Sequence, residues 1–208
     1  MKKILIILTL FSVLVFTNCQ PSQPNEQVMS KYISTGNKLV KQSFDTLSKS
    51  LKAAISAGGF EHAVAYCKVN AVPLTDTYGS DSVIIRRTAL RYRNPSNAAT
   101  TDETRILNLY ASQKSQGMVN DSLKSVTEQS ADGRIHYYKP IILQEMCANC
   151  HGPKNTTGPK ALWTAIDSLY PEDMAYDFKP GDLRGMWHIT FIQNDKNVPQ
   201  KLLESKGR

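Results

Sequence analysis

Val40, Phe44, Leu47, Leu51 and Ile55 recur at steps of four, three, four and four, the spacing of one apolar face of an α-helix. The pattern predicts a helix over 28–57 that ends at Gly58-Gly59, and a second over 60–69 that stops ahead of Pro73. From residue 82 the period changes. SVIIRRTALRYR, residues 82–93, is rich in β-branched residues and reads as a strand, although Ile84 and Ile85 stand side by side and break the alternation. NPSNAA is a loop. Thr100 with Glu103 three positions on forms a capping box, which opens a helix to about Gln116. SLKSVTEQ and RIHYYKP, on either side of SADG, read as a hairpin turning at Asp132-Gly133. Pro140 is expected to open a short helix, DLRGMWHITFI (182–192) to form a last strand, and the tail beyond Asn194 is polar. Helices, strand, helix, hairpin, helix, strand is the order of an α+β domain with an antiparallel sheet, not of repeated βαβ units. It spans 28–195, followed by a polar tail at 196–208.

The N-terminus follows another pattern. Lys2 and Lys3 precede an apolar run from Ile4 to Phe16 and then Cys19, the layout of an export signal and too short for a membrane span. VFTNC resembles a bacterial lipoprotein signal, with Asn18 where Gly, Ala or Ser is usual. The expectation is removal of residues 1–18, lipidation of Cys19 and a polar tether over 19–27, placing an extracytoplasmic domain at a membrane. An ordinary signal peptide cut nearby would instead leave a free thiol. Loss of Lys2 and Lys3 reduces the formal charge from +7 to +5. The basic residues form no run along the chain and no nucleic-acid motif accompanies them, so the balance names no partner and nucleic acid is not expected.

Chemistry concentrates at EMCANCHG, residues 145–152, in a chain with only four Cys and four His. At that composition C-x-x-C-H arises by accident in roughly one such chain in 700, and the pattern is the attachment signature of c-type haem. Thiols three positions apart share one side of a helical turn and can bond the two vinyl groups of one porphyrin edge, with the next residue, His151, ligating the iron. A zinc site on Cys147, Cys150 and His151 would need a fourth ligand, and no second Cys/His pair stands at usable spacing. A Cys147–Cys150 disulfide is the other alternative. One covalent haem c is expected. With Cys19 lipidated, Cys67 is the one cysteine left over. It joins His62, His136, His188, Met146, Met174 and Met186 as a candidate for the sixth iron position, and spacing alone does not choose among them. Arg86, Arg87 and Arg91 are candidates to meet a haem propionate, because a planar guanidinium suits a carboxylate.

Four blocks, AYCKVNAVPLTDTY, IIRRTALRYRNPSNAATTDE, CANCHG and YPEDMAYDFKPGDLRG, stand in the order seen in a bacterial family of c-type haem proteins with a PAS-like fold. The chain resembles that family, first known as a domain of unknown function, over about residues 30–195. Its members occur alone after a signal sequence and as the extracytoplasmic input region of sensor kinases. The resemblance implies an antiparallel PAS-like sheet wrapped by N-terminal helices, and Cys67 as the axial ligand opposite His151. Two departures stand out: Asp177 where a small residue, often Gly, is usual, and Trp187-His188 in place of smaller residues. Both are expected to alter the pocket wall.

A thiolate opposite histidine holds the iron's potential low, and a weakened iron(II)–thiolate bond could open a site for a gas. The leading expectation is therefore a membrane-tethered redox or gas-responsive sensor module. No kinase, cyclase or transcription-factor pattern occurs in these 208 residues, so a signal is expected to pass to a redox or signalling partner. The alternative is a simple electron carrier. A peroxidase-like enzyme is the third reading and would need an acid–base group, for which His62 is the nearby candidate.

Overall fold

The computed structural model describes residues 26–192; the expected signal, Cys19 and the polar tail lie outside them. Helix α1 (Glu26–Asp76) is broken at Gly58 and Gly59 into two arms, 26–57 and 60–76. Gly59 has φ +74, a conformation that disfavours any side chain, and a Cβ on Gly58 would lie 2.8 Å from His62 Cβ. The predicted break is therefore real. The second arm, however, runs through Pro73 to Asp76, beyond the expected stop at residue 69. Proline leaves unserved the carbonyl four positions back, that of Val69, and Val69 is 69% exposed to water.

Strand β1 (Val83–Thr88) is shorter than the expected 82–93. Helix α2 (Thr101–Ser115) opens with the predicted box: Glu103 N–H donates to Thr100 Oγ1 at 3.3 Å, and Thr100 N–H to Glu103 Oε2 at 2.9 Å. Strands β2 (Val126–Gln129) and β3 (Ile135–Ile142) form the predicted hairpin, with Gly133 at φ +83 in the turn. Pro140 does not open a helix. It lies inside β3, beyond Tyr138 where pairing with β2 ends, so one side of the strand there is an edge that tolerates proline. A 3-10 turn (Glu145–Cys147) leads into α3 (Ala148–His151), followed by α4 (Lys160–Leu169) and β4 (Leu183–Phe191).

The sheet is antiparallel throughout, in the order β1-β4-β3-β2. With N-terminal helices against it, the fold is α+β and has the arrangement that the PAS-like resemblance implies. Side chains alternate across it. Val83, Ile85, Ile135, Tyr137, Trp187, Ile189 and Phe191 face α1 and pack with Tyr32, Leu39 and Val40. Tyr138 and Met186 face the other way, onto Ile106, Leu107 and Tyr110 of α2. Alternation also explains the adjacent isoleucines: Ile85 is 2% exposed and Ile84 is 49% exposed. Helix α1 approaches the sheet so closely at Gly36 that a Cβ there would lie 2.6 Å from the Tyr137 ring. Helix α4, absent from the prediction, packs Leu162, Trp163 and Ile166 on Val64 of the second arm, with Cys150 against the cluster.

Candidate functional site

Two adjoining cavities of about 220 Å³ each lie between the second arm of α1, the α3 turn and one edge of the sheet. Cys67, Cys147, His151, Met146, Arg87 and Arg184 line both. The first continues along Phe60, Val64, Cys150, Tyr170 and Arg93, the second along Phe44, Leu47, Ile141, Leu143 and Trp187. Together they fall in the range of roughly 300–1,000 Å³ usual for cofactor sites.

The motif is held as one piece. Its single helical turn puts Cys147 and Cys150 on the same side. Three carbonyls at its end are served: Arg93 Nη2 donates to Cys150 O at 2.6 Å, Phe178 N–H to His151 O at 2.9 Å and Asp177 N–H to Gly152 O at 2.8 Å. His151 Nδ1 lies 2.7 Å from Ala175 O, an acceptor, so Nδ1 carries the hydrogen and Nε2 keeps its lone pair. Burial, reinforced by the charges of Arg184 and Arg93, holds the imidazole well below its ordinary pKa and thus neutral. Burial pushes the Cys67 thiol up while Arg87 and Arg93 pull it down, and burial takes Cys150 up to about 11. Cys67, Cys147 and Cys150 are all free thiols. Among the described residues no group of three or more His, Cys, Asp and Glu is placed to hold a metal ion.

Of the sixth-ligand candidates, Cys67 and Met146 line the cavities. His62 lies in a separate cleft between the arms of α1, with Lys49 and Tyr66. His136 and His188 are on the α2 side of the sheet, 3.0 Å apart through Nδ1 and Nε2, and His188 Nδ1 meets Glu103 at 2.7 Å. Met186 is buried among Ile106 and Leu107, and Met174 is at the surface.

The arginines divide by strand parity and by the end of β1. Arg86 faces α2, donating to Ser96 O and Ala98 O with its Nε 3.6 Å from Glu103. Arg87, next along, faces the cavities. Arg91 has left the strand and braces the carbonyls of Met174 and Tyr176. Arg93 and Arg184, which the sequence reading did not single out, complete the wall. The Nε atoms of Arg87, Arg93 and Arg184 are buried without a hydrogen-bond partner. Arg93 pairs with Asp173 at 3.0 Å; among the described residues neither Arg87 nor Arg184 has a carboxylate within 4 Å. Burial lowers both, Arg184 to about 9, yet both stay charged at neutral pH. Two half-buried guanidinium groups, bonded to the Ala71 and Arg91 carbonyls but to no carboxylate, suit an anion in the cavity. A flat, largely apolar group with two carboxylates, bonded through two thiols and one imidazole, fits this donor set.

The two departures separate. Asp177 is exposed, at φ +58, and its Oδ1 accepts Lys154 N–H at 2.9 Å. The usual Gly answers a left-handed backbone there, and the expected change to the pocket wall is not found at Asp177. Trp187 does form wall, with the Arg87 guanidinium 5.8 Å from its ring centre, whereas His188 points away.

No curated protein matches the chain. Among solved structures it is similar to the crystal structure of the cyanobacterial heme-protein Tll0287, with 26% identity and a TM-score of 0.51, covering 82% of this chain and 98% of that one. The model of the Tll0287-like family matches residues 20–191, which takes in α1, the whole sheet, Cys67 and the C-x-x-C-H turn. The chain belongs to the Tll0287-like family.

Proposed function

We propose that this chain is an extracytoplasmic c-type haem protein, tethered to a membrane by lipid on Cys19, that responds to redox state or to a diatomic gas. One observation carries the reading: Cys67, Cys147, Cys150 and His151 border one cavity system whose wall holds two half-buried guanidinium groups with no carboxylate within 4 Å among the described residues. Bound there, haem supplies an iron that changes oxidation state and gas ligation. Cys147 and Cys150 would hold it by thioether bonds, and Arg87 and Arg184 would meet its propionates. His151 Nε2 would be the fixed donor to its iron, because Nδ1–H is committed to Ala175 O. Cys67 Sγ would be the second donor and the exchangeable one, and burial favours its protonated, unbound form. The change would pass to a redox or signalling partner. A peroxidase-like enzyme loses its candidate acid–base group, since His62 is not at the cavity.

A plain electron carrier is the second reading. The double bracing of His151 and the Cys150 carbonyl favours it, because fixed ligation keeps reorganisation small.

Absorption spectra of the purified holoprotein, oxidised and reduced, with and without carbon monoxide, decide between the two. Sensor function requires that the reduced protein bind carbon monoxide readily and that Cys67→Ala alter the oxidised spectrum. A reduced protein that refuses carbon monoxide is a carrier. Haem extractable by acid–acetone, or an oxidised spectrum untouched by Cys67→Ala, removes the covalent attachment or the Cys67 ligation respectively.

A further inference from the structure

The basic residues look scattered along the chain, but the fold gathers five of them. Lys31, Lys38, Lys41, Lys49 and Lys52 are all the lysines of the first arm of α1, and all five are exposed. At about 100° per residue they fall within an arc of roughly 80°, on the side opposite Tyr32, Leu39, Val40 and Ser43, which face the core. At 1.5 Å per residue the stripe runs about 32 Å from Lys31 to Lys52. One acid interrupts it, Asp45, bonded to Lys41 at 2.5 Å. Beyond Glu26 the arm carries no other acidic residue. Lys49 and Lys52 also flank an open cleft with Phe44 and Met146, both of which line the second cavity; the exposed Glu145 lies just beyond.

We infer that this stripe docks on the anionic phospholipid headgroups of the membrane, so that α1 lies along the bilayer and the cavity mouth opens toward it. Two features select a lipid surface as the occupant. The sign and the straight, one-sided layout suit a flat anionic plane, where each lysine near the surface strengthens binding by about fivefold. The start of the helix is also bound to stay close to it: Glu26 is seven residues after Cys19, a reach of at most about 25 Å. A single lipid attachment point fixes position and leaves rotation free, and the stripe supplies the orientation. That second feature rests on the reading of Cys19 as the lipidated residue; the charge layout does not.

The test uses holoprotein exported behind a cleavable signal with Cys19→Ser, so that no lipid contributes. Co-sedimentation with vesicles containing 30% phosphatidylglycerol should show binding that is absent with neutral phosphatidylcholine vesicles and lost in high salt. Changing Lys41, Lys49 and Lys52 together to Gln should weaken binding on the order of a hundredfold. Lys124→Gln with Lys160→Gln, two exposed lysines off the stripe, should leave it unchanged. The haem absorption spectrum serves as the check that each variant is folded. Equal binding to neutral vesicles, indifference to the three lysines, or no binding at all overturns the inference; the last outcome would leave the stripe to an acidic protein. Mass analysis of the wild-type protein tests lipidation of Cys19 separately, so the anchor can fail while the stripe holds, or the reverse.

Discussion

His151 and Arg93 meet on one oxygen: the carbonyl of Ala175 accepts from His151 Nδ1 at 2.7 Å and from Arg93 Nη2 at 3.2 Å. The same guanidinium reaches Cys150 O and Asp173, so one side chain ties the C-x-x-C-H turn, its histidine and the 173–175 loop together.

Arg93→Met should therefore be costly. It leaves Asp173, whose side chain is 3% exposed, without its cation, and breaking such a pair costs about 3–5 kcal/mol. Thermal unfolding of the holoprotein should show a drop of several degrees or more. Arg93→Lys should recover part of it, since an ammonium keeps a positive charge for Asp173.

Arg184 makes a different prediction. Its charge has no carboxylate partner within the described residues, so it is available to a bound anion. Arg184→Met should lower the reduction potential of the holoprotein, by an amount on the order of tens of millivolts, because a positive charge beside the site is lost. Spectroelectrochemical titration reads this directly. An unchanged potential would place the propionates elsewhere.

The third prediction concerns pH. Burial alone would raise the Glu103 carboxyl, but hydrogen bonds from His188 and Thr100 N–H, with the Arg86 charge, bring it down to about 2. The folded value is depressed, so the stability it contributes is complete above the ordinary value of 4.5 and is lost as pH falls toward 2. The amount is on the order of 3 kcal/mol. Urea unfolding of wild type between pH 6 and pH 2.5 should show this loss, and Glu103→Gln should flatten the profile in that window.

The local elements were legible wherever a short-range rule fixed them. The glycine break, the Thr100–Glu103 box and the Asp132-Gly133 turn each need only neighbours in the chain. Pro140 failed because its tolerance depends on where β2 stops, which is a tertiary fact. Helix α4 carries Leu162, Trp163, Ile166 and Leu169 at helical spacing, so its signal is present in the sequence, close behind the stronger C-x-x-C-H motif. At the site, the thiols and His151 stood out by rarity. Arg93 and Arg184 did not, since their role comes from the early end of β1 and from the face that β4 presents. The lysine stripe lay in the helical period all along and is invisible to any count of charge along the chain.

The sheet order has a consequence for the timing of assembly. Val83 of β1 pairs with Phe191 of β4, 108 positions further along, and β3 also needs β4 as its neighbour. Closing so long a loop is a late and slow event in folding. Cys147 and Cys150 precede β4, so as the chain emerges they come out while the strand that completes their pocket is still missing or unpaired. With haem attached as proposed, an enzyme that must reach both thiols would meet an open chain, and the arrival of the last strand would shut the door behind it.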